Sequence, residues 1–139
     1  MQNRSAARLF VLSVTFVALL LMSGCSSGPN PALNLGGIDI EEVFHGQVTR
    51  VNQILNGITN QASLDKAYDE LQVVSTNFDD LIFNSAKLSP DGQTALSMLA
   101  MTEAPKMESL VNQVKESPAL DDKLGGFMEG IYGKILGLI

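Results

Sequence analysis

The chain is 139 residues long, 45% hydrophobic, and sets 15 acidic against 9 basic side chains for a formal net charge of −6. That balance argues against nucleic-acid binding, which needs clustered Lys and Arg to neutralise phosphates, and against unaided docking on anionic lipid. One cysteine, Cys25, precludes an intramolecular disulfide, and one histidine, His45, falls short of the ligand set of a protein zinc site.

In chain order, Arg4 and Arg8 precede an uncharged, mainly apolar run over residues 9–21, interrupted by Ser13 and Thr15, which small residues and Cys25 then close. Basic start, apolar run and small residues form the pattern of a secretory signal peptide. The run falls below the roughly 20 apolar residues that cross a bilayer as a helix, and the turn-rich Ser26-Ser27-Gly28-Pro29 follows at once. Loss of residues 1–24 removes two bases and no acid, leaving seven bases against 15 acids, formally −8. What remains suffices for one domain with a single core.

The segment Leu21-Met22-Ser23-Gly24-Cys25 resembles the lipobox of bacterial lipoprotein precursors, with an aliphatic residue, two small residues and the cysteine. Met22 stands where leucine is commonest, and the resemblance covers these positions alone. It implies cleavage before Cys25 by signal peptidase II, diacylglycerol on the thiol, and acylation of the new amino group. Several chains matter because each buried methylene contributes about 0.8 kcal/mol and a single chain holds only marginally. Ser26 differs from the aspartate that retains such proteins in the inner membrane of enteric bacteria, which implies an outer-membrane anchor facing the periplasm. This lipid is the only attached group expected: no cofactor and no metal.

Residues 25–37 read as the lipidated cysteine and a flexible linker, rich in Gly, Pro, Ser and Asn and without charge. Over residues 38–139, apolar positions recur at spacings of three and four, which predicts an all-α domain. The first helix starts near Asp39, where Asp39, Glu41 and Glu42 meet the positive end of the helix dipole. Its stripe is Ile40, Val43, Phe44, Val48, Val51, Ile54, Leu55 and Ile58. Thr59, Asn60 and Ser63 supply turn and cap chemistry before a second helix striped by Leu64, Ala67, Leu71, Val74, Phe78, Leu81 and Leu88.

Ser89-Pro90 opens a third helix by a serine cap and a proline at the first position. Its inward residues are Leu96, Leu99, Met107, Leu110, Val111 and Val114, with a kink or break expected between Thr102 and Pro105, since Pro105 lacks an amide donor. Ser117-Pro118 repeats the device for a fourth helix with Leu120, Leu124, Phe127, Met128, Ile131, Ile135 and Leu136 inward. Short connections predict a small antiparallel bundle of four helices.

Few residues suggest chemistry. Glu41 lies four residues before His45 on one helical face, but a lone imidazole reads as a solvated side chain. Asp79-Asp80 and Asp121-Asp122 point about 100° apart on a helix and do not share a site. No H-E-x-x-H, calcium-loop, G-x-S-x-G or S-x-x-K motif occurs, so the sequence predicts no enzyme. Met98, Met101, Met107 and Met128 read as adaptable core filler.

The fourth helix is unusual for Gly126, Gly130, Gly133 and Gly137, each of which costs about 1 kcal/mol relative to alanine. They read as ordinary members of the bundle, as a face for close helix packing within the bundle or with a partner, or as part of an amphipathic tail on a membrane. The expected function is a membrane-anchored envelope lipoprotein whose non-enzymatic helical domain acts through protein contacts or as a structural accessory. The alternative is a carrier or sensor of a lipid or acyl chain in the bundle core. Its protein partner is unspecified, and self-association is left open.

Overall fold

The computed structural model describes residues 30–139. The expected signal peptide, the segment Leu21-Met22-Ser23-Gly24-Cys25 and the first residues of the expected linker lie outside the described residues. The domain is an all-α bundle of four helices, α1 (Ile40–Asn56), α2 (Gln61–Ser85), α3 (Pro90–Lys115) and α4 (Pro118–Leu136).

Residues 30–37, expected as flexible linker, are instead folded onto the bundle. Asn30 caps a single 3-10 turn, Pro31–Leu33, and Leu33 is buried against the core. A minimal hairpin follows, pairing β1 (Asn34–Leu35) with β2 (Ile38–Asp39). Gly36 and Gly37 form its two-residue turn at φ of +59° and +89°, a conformation suited to glycine and to the twist of a tight hairpin. The Asn34 side-chain oxygen accepts from the Gly37 amide at 3.0 Å and fixes the turn.

Helix starts follow their caps. Asp39 accepts from the amides of Glu41 and Glu42, and Asn60 and Ser63 bond each other reciprocally in a capping box. Ser89 accepts from Gly92 at 3.2 Å with Pro90 at the first position. Ser117 makes no side-chain cap bond, so at α4 only the proline half of the expected device operates. Pro105 does not break α3, which runs on to Lys115. The proline sits on the exposed face, where water can replace the missing donor, and the preceding turn carries a bond from the Thr102 hydroxyl to the Met98 carbonyl at 3.0 Å.

Consecutive helices reverse direction, but the packing order is not the chain order. The packed neighbours are α1 with α2, α2 with α4, α4 with α3 and α3 with α1, so α2 and α3 lie across the diagonal despite their short connection. Phe44 on α1 meets Phe78 on α2 edge-to-face at 5.6 Å, and Tyr68 on α2 meets Phe127 on α4 in the same way at 4.8 Å. Such pairs prefer this geometry because the ring edge is positive and the face negative. The expected stripes converge on one core, with Phe44, Leu71, Phe78, Met107, Leu124, Met128, Ile131 and Ile135 fully buried. Val43, Leu55 and Phe127 are only partly covered, and Leu136 is exposed instead of inward. No helix among the described residues is long and apolar enough to cross a membrane.

Candidate functional site

The polar cluster with most chemical content lies between α1 and α3, and its centre, Glu103, was not singled out in the sequence. Glu103 is 1% exposed, yet it occupies the register of the apolar stripe, four residues after Leu99 and four before Met107. Its Oε1 lies 3.0 Å from His45 Nδ1 across the helix pair and accepts from Lys106 Nζ at 2.9 Å along α3. His45, expected as a solvated side chain, is 42% exposed but spends Nδ1 on this carboxylate. Nε2 lies 3.8 Å from Glu41, the one contact of the cluster that residue spacing had suggested.

A buried carboxylate on Nδ1 orients an imidazole and directs Nε2 outward, which is the arrangement that serves general bases and metal ligands. A general base must lie within hydrogen-bond reach of the proton it takes, whether on a side chain, a water or a substrate. The side chain beside Nε2 is the Glu41 carboxylate, at 3.8 Å. Among the described residues, no group of three or more His, Cys, Asp or Glu side chains could hold a metal ion. The geometry is that of a buried carboxylate held between two basic side chains: a pinned α1–α3 seam.

Comparison with known protein families, curated proteins and solved structures finds no match.

Asn52 lies seven residues after His45, about two turns along the same side of α1. It is buried, and its side-chain oxygen has no hydrogen-bond partner. On the other flank of α1, Gln47 bonds Asn77 at 3.1 Å and Arg50 pairs with Glu70 at 3.3 Å. These residues line an open groove of about 370 Å³ between α1 and α2, bordered by Gly46 and Val73. Its walls mix these polar side chains with Val73 and Val74.

The remaining sequence candidates separate. Gly126, Gly130 and Gly133 face open space, and Gly137 has only ordinary contact with its own helix backbone. They form an exposed stripe opposite the buried face of α4, so close packing within the bundle is not their role. Within α4 the tightly placed glycine is Gly125, since a Cβ there would collide with the Asp121 carboxylate. Asp79 diverges from Asp80 and pairs with Lys134 at 2.8 Å. Met107 and Met128 fill the core as expected, while Met98 and Met101 are exposed.

Two surface pairs shift titration. Lys123, bonded to Asp65 at 3.1 Å with help from Gln61, holds the Asp65 carboxyl below its usual 3.8. Glu129 bonds Lys115 and raises its ammonium above the usual 10.5.

Proposed function

We propose that the chain is a lipid-anchored envelope protein, cut before Cys25 and acylated there, whose bundle works through protein contacts or as a structural accessory rather than by catalysis. The observation that carries this reading is the lipobox-like Leu21-Met22-Ser23-Gly24-Cys25 placed five residues ahead of Asn30, which caps the first described turn packed on the bundle. A signal peptide joined so closely to a self-contained bundle is the layout of an anchored module. The pairing of Glu103 supports the non-catalytic part, because its buried carboxyl is taken up by His45 and Lys106. An outer-membrane address facing the periplasm follows from Ser26 after the cysteine.

The test is metabolic labelling with an alkyne-tagged fatty acid in a bacterial host, followed by membrane fractionation. Wild type incorporates label and sediments with membranes, whereas Cys25→Ala loses both. Labelling that persists in Cys25→Ala overturns the assignment.

A further inference from the structure

Among the described residues, six of the seven exposed large hydrophobic side chains gather at one end of the bundle. The Phe44–Phe78 contact between the antiparallel α1 and α2 puts Phe83, 70% exposed, level with the start of α1 and with Ile38. The His45–Glu103 pair between the parallel α1 and α3 puts Met98 at that level too, with Met101 one turn further along. The Ser97 hydroxyl donates to the Ile139 carbonyl at 3.2 Å, which brings Ile139 and Leu136 beside them. The seventh, Val73, borders the groove between α1 and α2.

This is also the end at which Asn30, five residues after Cys25 in the chain, joins the bundle. The 3-10 turn packs on the first turns of α3, where a Cβ at Gly92 would collide with the Ala32 carbonyl. Five residue steps separate Cys25 from Asn30, and at about 3.5 Å per step a fully extended chain reaches roughly 18 Å. An acylated Cys25 therefore cannot let this end drift far from the bilayer, and the collar of apolar side chains faces the nearest apolar medium.

We infer that the anchored end of the bundle seats its collar of Ile38, Phe83, Met98, Met101, Leu136 and Ile139 in the lipid interface of the membrane that holds the acyl chains. The inference rests on the lipid-anchor reading. Exposed charge near this end is mainly acidic, with Glu42 and Asp91 against Lys87, so the surface it fits is zwitterionic and not anionic. Gly133 and Gly137 add no side chains that would hold the α4 face away from lipid.

The chain has no tryptophan, so single-Trp variants report cleanly. The full lipidated protein is reconstituted in phosphatidylcholine vesicles with brominated acyl chains as Phe83→Trp, Met98→Trp and Ala62→Trp. Ala62 is exposed at the opposite end of α2, about 30 Å from Phe83 at 1.5 Å per residue. Quenching at least about twofold stronger for Phe83→Trp and Met98→Trp than for Ala62→Trp is expected, because interfacial seating of about 5–10 Å reaches only the collar. Replacing part of the lipid with phosphatidylglycerol should weaken it. Equal, low quenching at all three positions in protein whose mass shows acylated Cys25 overturns the docking and leaves the anchor standing. Lack of acyl mass overturns the anchor reading itself.

Discussion

Removing the partners of Glu103 should cost far more than removing Glu103. The carboxylate is 1% exposed, whereas His45 and Lys106 are 42% and 30% exposed at their side chains. In His45→Ala/Lys106→Ala the buried carboxyl loses both its basic partners, a defect worth about 3–5 kcal/mol. In Glu103→Leu the two bases remain at the surface and can hydrate, while leucine continues the stripe between Leu99 and Met107. That change should lie within about 1 kcal/mol of wild type, or stabilise, as apolar replacement of buried ion pairs often does. Urea unfolding at neutral pH, followed by the helical circular dichroism signal, measures both. At about 4–8 °C per kcal/mol for a domain of this size, the double variant should melt at least about 12 °C lower. A double variant within about 1 kcal/mol of wild type, or a Glu103→Leu loss as large as that of the double, would refute the pinned-seam account.

Other outcomes follow from single positions. Asn52→Leu should raise the urea-unfolding free energy by about 1–2 kcal/mol, because it removes a buried oxygen with no partner; a loss of that size would show that Asn52 is bonded in solution. Gly130→Ala and Gly133→Ala should each add about 1 kcal/mol, since their Cβ positions face open space; destabilisation in thermal melts would mean the stripe is covered. Asp65 has its folded carboxyl lowered below 3.8 by Lys123, so this stabilisation is complete above that value and fades as pH falls through the folded value. Lys123→Ala should accordingly lose stability relative to wild type at neutral pH and converge with it in strong acid, as read from denaturant midpoints across an acid series.

The helices were legible because cap chemistry and apolar spacing agree at Asp39, Asn60-Ser63 and Ser89-Pro90, so local and tertiary preferences point the same way. The Asn30–Asp39 region was not, because strands of two residues are too short to show alternation. The Gly36-Gly37 pair between Leu35 and Ile38 was the available hairpin signal, and the Gly- and Pro-rich composition around it reads as tether. The diagonal placement of α2 and α3 depends on which stripes fit together, a property no single helix carries. The seam was hidden for a related reason: His45 and Glu103 stand 58 positions apart, and only the bundle brings them to 3.0 Å. A charged residue in stripe register, followed three residues later by Lys106, was the clue. Leu136, Met98 and Met101 were misassigned inward because apolar character alone does not separate a core stripe from an exposed collar.

The measurement that bears most directly on the anchored-module account is the intact mass of membrane-extracted wild type beside Cys25→Ala. A chain beginning at Cys25 with added acyl mass, absent from the variant, is the predicted result. An unmodified chain of the same length in both would contradict the account and return the protein to the class of free helical bundles.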